Sequence, residues 1–113
     1  MQQAHDFLKE SKLLYELLLG RNESDLELIT QFKNWSIQDV IGHLYLFNVA
    51  AIKTVDGPKS FDEFFIPFLQ QLQKGKTMVE AQVPWLNGLS GKVLLNNWWD
   101  SCLELEKIYS NTD

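Results

Sequence analysis

His43, His5 and Cys102 are the residues of this chain whose types could do chemistry, and His43 is the best placed. It lies in Trp35-Ser36-Ile37-Gln38-Asp39-Val40-Ile41-Gly42-His43-Leu44, two turns into a helix whose start is marked by Ser36 and Asp39, three apart as in a capping box. Steps of about 100° per residue put Leu44 and Ile37 at the centre of the apolar stripe and His43 about 100° from it, beside Phe47, Ser36 and Ala50. An imidazole on that flank can be braced on one side while a free ring nitrogen points into a cleft, the posture of a metal ligand or a general base. Asp39, one turn earlier, is placed to accept a hydrogen bond from one ring nitrogen, as carboxylates behind ligating histidines do. The same spacing also describes a half-exposed histidine with an ordinary i,i+4 carboxylate neighbour.

The rest of the inventory narrows the chemistry. His5 stands in the first turn of the first helix and reads as a solvated side chain, and no spacing ties it to His43. Cys102 sits within an apolar helical pattern and reads as an inert core thiol. A single cysteine excludes an intramolecular disulfide and fits a reducing, cytoplasmic setting. There is no HExxH, CxxC, P-loop or Gly-rich dinucleotide turn, and no strand-turn-helix context for a nucleophilic serine. No catalytic residue is assigned from sequence.

The elements that must position His43 are helices. From about Gln3 to Leu19, Ala4, Phe7, Leu8, Leu14, Tyr15 and Leu18 share one face, which Leu13 and Leu17 widen; Gly20 closes the segment. Residues 22–34 read as a connection with room for one short helical turn near Leu26. The second helix carries Ile37, Val40, Ile41, Leu44, Phe47, Ala51 and Val55 until Asp56-Gly57-Pro58 ends it. Ser60-Phe61-Asp62-Glu63 reads as another capping box, opening a helix faced by Phe61, Phe64, Phe65, Phe68, Leu69 and Leu72. Pro67 inside it predicts a kink or two short pieces. Residues 76–91, with Pro84-Trp85 and Asn87-Gly88, read as irregular connection. A last helix runs from about Ser90 to Tyr109 with Leu94, Leu95, Trp98, Cys102, Leu105 and Tyr109 as its buried stripe; Trp98 and Trp99 cannot both face inward, so one sits at a boundary, at a partner surface or over a cleft. The fold class is all-α.

The bulk numbers agree with one globular domain over residues 1–113, with 45% hydrophobic and 22% charged residues. A net charge of −5 with scattered lysines and arginines argues against nucleic acid and anionic membrane surfaces as partners. The opening ten residues mix polar and charged side chains unlike a signal peptide, and no apolar run approaches the roughly 20 residues of a membrane span.

Thr30-x4-Trp35-Ser36-Ile37-x-Asp39-Val40-x2-His43-Leu44 resembles the signature of the DinB-like superfamily, and within it the metal-binding N-terminal domain of mycothiol-dependent maleylpyruvate isomerases. The leucine-rich first helix, the phenylalanine-rich crossover and a tryptophan-bearing third bundle helix extend the likeness. The resemblance implies an up-down-down-up four-helix bundle with a divalent metal, zinc or nickel, held by three side chains. One of these stands at the position of His43, and two, spaced four apart, come from a fourth bundle helix. It implies use of that metal to activate a low-molecular-weight thiol for transfer or isomerisation. Three bundle helices and a short crossover helix fit this chain, and the fourth helix with its ligands is not found, so the expectation is a domain shortened at its C-terminus, inactive alone and without tightly bound cofactor. Such a bundle predicts an apolar strip covered by the missing segment or by a homodimer. The alternative reading is a non-enzymatic helical interaction or dimerisation module.

Overall fold

Helices form where the apolar period is strong and where capping chemistry starts them. The computed structural model describes residues 2–110, without the side chains of Gln2 and Ala4, so the expectation for Ala4 lies outside the described residues. Five α-helices follow in order: α1 (Gln2–Leu19), α2 (Ile37–Asp56), α3 (Pro58–Gln73), α4 (Met78–Leu86) and α5 (Gly91–Ser110), with a 3-10 helix at Glu23–Glu27 between α1 and α2. Among the described residues the β pairing is one isolated antiparallel bridge, Ile29 to Ser36. The protein is all-α, as its sequence predicts, and among the described residues no helix is long and apolar enough to cross a membrane.

The core gathers on α5. Leu94, Leu95, Trp98 and Cys102 meet Leu18 of α1, Leu26 of the 3-10 helix and Ile41 of α2 in one buried cluster. Helix α5 packs on both α1 and α2, and α3 and α4 pack on α2. The molecule measures 39 × 37 × 22 Å, and its short dimension is about two helix diameters. Trp98 is buried, whereas Trp99 is half-buried and stacks on Tyr15 with ring centroids 5.1 Å apart. The boundary tryptophan is therefore covered within the chain by α1. Leu13 and Leu17 do not widen the buried face of α1; they are 65% and 58% exposed.

Three expectations about the crossover are corrected. Helix α3 begins at Pro58 rather than at Ser60, and Ser60 forms no cap. Gly57, at φ +135°, turns the chain directly out of α2, and Pro58 enters at the first helical position, where its missing N–H is no loss. Pro67 does not divide α3, which runs unbroken from Pro58 to Gln73. Residues 78–86 are helix rather than irregular connection. Thr77 Oγ1 accepts from Glu80 N and Glu80 Oε1 accepts from Thr77 N, at 3.2 and 2.9 Å, a complete capping box that starts α4 despite Pro84. Asn87 in the left-handed region ends it.

Candidate functional site

The site begins with the cap of α2. Ser36 Oγ accepts from Asp39 N and Asp39 Oδ2 accepts from Ser36 N, both at 3.0 Å, so the helix start is fixed by two reciprocal bonds. The loop leading into it is closed as firmly. Thr30 N and Thr30 Oγ1 both donate to Trp35 O, at 2.7 and 2.8 Å, and Ile37 N donates to Leu28 O at 2.9 Å. Lys33 and Asn34 take positive φ to make that turn. Its product is Trp35, held just before the helix with its indole edge-on to His43, centroids 5.5 Å apart. Phe47, one turn after His43, also meets the imidazole edge-on, centroids 5.5 Å apart.

The third contact of the ring comes from α4. His43 Nδ1 lies 2.9 Å from Gln82 Oε1. A side-chain carbonyl oxygen only accepts, so Nδ1 carries the hydrogen and donates it, leaving Nε2 of the neutral ring with its lone pair. Nε2 has no hydrogen-bond partner among the described residues and is not sealed from solvent. Gln82 is itself 1% exposed and reaches His43 because α4 approaches α2 closely at Gly42. A Cβ added at Gly42 would stand 3.2 Å from Leu86 Cδ1, so a larger side chain there would push α4 away.

The expected role of Asp39 is thereby corrected. Its carboxylate is engaged at the backbone of Ser36, and the partner that orients His43 is Gln82. His5 is exposed and lies 3.6 Å from Glu106 of α5, in separate surroundings from those of His43. Cys102 is fully buried, within reach of Asn48 Nδ2 at 3.4 Å and Ser11, and burial pushes its thiol above the ordinary range. Asn48 also donates to Ser101 Oγ at 2.9 Å, and these groups form a satisfied polar knot inside the core rather than a reactive centre.

His43 and Gln82 stand at the polar end of a cavity of about 440 Å³ between α2, α3 and α4. The phenylalanines of α3 supply one wall, Ala50 and Ala51 of α2 leave room opposite, and Met78 closes the α4 side. Trp85 holds α3 and α4 together, edge-on to Phe68 at 5.6 Å and to Phe64 at 6.4 Å. No residue of α3 is fully buried, because its aromatic face borders this space instead of a filled core. Thr54 also lines it, with its hydroxyl donated to Ala50 O at 2.9 Å. No charged side chain lines the cavity.

Set against protein-family models, curated proteins and solved structures, the chain matches none. Its chemistry is therefore read from its own geometry. A metal site needs three or four protein donors. Among the described residues no group of three histidine, cysteine, aspartate or glutamate side chains could hold an ion. His43 alone is arranged as a donor, so the described residues do not fit a complete metal centre and no catalytic step is derived through one. Sequence reasoning missed Gln82 and the cavity. The Thr77-x-x-Glu80 capping box was the signal that would have revealed α4 and with it the approach of Gln82.

Proposed function

We propose that this chain is the histidine-donating part of a DinB-like, divalent-metal-dependent protein of the thiol-transferase or isomerase kind. The remaining donors come from outside residues 2–110. The observation that carries this reading is the state of His43: Nδ1 is tied to Gln82 Oε1, the ring is in edge contact with Trp35 and Phe47, and Nε2 is left unpartnered. Ligating histidines are held in this way, with the second nitrogen donating to an oxygen that fixes the tautomer. The metal, zinc or nickel, would supply the acidity that turns a bound thiol into a nucleophile near neutral pH. This chain contributes the ring's orientation and an apolar neighbourhood.

The test is a calorimetric titration with zinc and with nickel. The chain alone is expected to show no tight stoichiometric binding. A fused helix bearing two histidines four residues apart is expected to create binding that His43→Ala abolishes. Tight binding by the chain alone, or binding by the fusion that survives His43→Ala, contradicts the proposal.

A second reading, a non-enzymatic interaction module, is favoured by Leu13 and Leu17 on α1 and by Leu28, Ile29 and Phe32 before α2, all more than half exposed. Under it, Leu13→Asp/Leu17→Asp changes the sedimentation behaviour of the chain, and metal does not.

A further inference from the structure

We propose that the cavity between α2, α3 and α4 binds a small, uncharged, mainly aromatic molecule carrying one hydroxyl, whose hydrogen is donated to Nε2 of His43. The inference shares His43 with the proposed function and concerns the metal-free chain, since the one lone pair on Nε2 serves either a metal or the ligand's hydroxyl.

Three observations carry it. The space, about 440 Å³, is the size of small-molecule pockets and far too small for a helix of another protein to enter whole. Its walls are phenyl rings, small aliphatic groups and the Met78 thioether, which favour the faces and edges of an aromatic ligand. No lysine, arginine, aspartate or glutamate lines it, so a carboxylate, phosphate or ammonium would be stripped of water there without compensation.

The polar end then selects one functional group. Thr54 has already given its hydrogen to the backbone of Ala50. The hydrogen on His43 Nδ1 is used by Gln82. What remains at the histidine is a lone pair on Nε2, which accepts and does not donate. An alcohol or phenol satisfies it, whereas a ketone or ether of the same shape leaves it unpaired. A ligand with its hydroxyl at His43 and its ring among the phenylalanines of α3 uses every feature of the cavity.

The experiment compares two probes of nearly equal size, p-cresol and p-xylene, titrated into the ¹⁵N-labelled chain in the presence of a metal chelator. Both are expected to bind saturably, with shifts centred on α3, α4 and the Gln82 side-chain amide. One hydrogen bond makes p-cresol about 2- to 12-fold the tighter ligand. His43→Phe, which keeps a ring and removes the acceptor, is expected to bring that ratio to about one. Ala50→Leu, which fills the space from α2, is expected to abolish saturable binding of both probes while the rest of the spectrum stays dispersed.

Absence of saturable binding to the wild-type chain overturns the inference. So does binding unaffected by Ala50→Leu, or a preference for p-cresol that survives His43→Phe. Affinity that weakens as protein concentration rises shows a second copy occupying the cavity and overturns it too. Because the chelator removes metal, failure here leaves the metal reading standing, and failure of the zinc and nickel titrations leaves this one standing.

Discussion

Gly42→Ala tests whether α4 presses on α2 where the structure places it. In a helix interior the substitution gains about 1 kcal/mol from backbone propensity. Against that, the new Cβ would lie 3.2 and 3.4 Å from the two methyl carbons of Leu86 and 3.8 Å from Gln82 Nε2. Over-filling a well-packed contact costs about 1–3 kcal/mol, so the net effect is a loss of roughly 0–2 kcal/mol, or about 4 °C in Tm per kcal/mol. Leu86→Ala removes the obstructing methyls. In that background Gly42→Ala recovers its helical gain and stabilises by about 1 kcal/mol. Urea unfolding of the two single variants and the double variant gives the coupling energy, expected at about 1–3 kcal/mol. A wild-type background in which Gly42→Ala stabilises fully, with no coupling to Leu86, would refute the close approach and with it the placement of Gln82.

Three further outcomes follow from the same structure. Bonds from the Thr77 backbone and hydroxyl hold the Glu80 carboxyl below the usual glutamate range. Its contribution to α4 is therefore complete above the unfolded value and is lost as pH falls through the lower folded value; Glu80→Gln is expected to flatten the acid side of the stability profile measured by circular dichroism. The Cys102 thiol, buried and pushed upward in pKa, is expected to react with a disulfide reagent only at the rate at which the chain unfolds; fast labelling under native conditions contradicts its burial. Asn48→Ala is expected to cost about 2 kcal/mol in chemical denaturation, for the two bonds to Ser101 and Cys102 lost inside the core.

Helices α1, α2 and α5 were legible because their apolar residues repeat with the helical period, and α2 also carries the cap of Ser36 with Asp39. Helix α4 was not, because Pro84 and the Asn87-Gly88 turn drew attention away from the cap at Thr77 and Glu80. Ser60 misled in the opposite sense: its spacing to Glu63 mimics a cap, but Gly57 and Pro58 start the helix earlier. The half-buried position of His43 on the flank of α2 was legible in the helical period, and its partner was not. Asp39 is near in sequence, but its carboxylate meets the backbone of Ser36. Gln82 is 39 residues away and is brought in by the approach of two helices at Gly42, a contact that no local pattern records.

The placement of the hydrogen on His43 is the point on which the site depends. Long-range ¹H–¹⁵N correlation of the imidazole, recorded with the ring neutral, reads it directly. The structure predicts a protonated Nδ1 and a bare Nε2, with Gln82→Leu moving the hydrogen between the two nitrogens. A wild-type ring already protonated at Nε2, and unchanged by Gln82→Leu, would contradict the account.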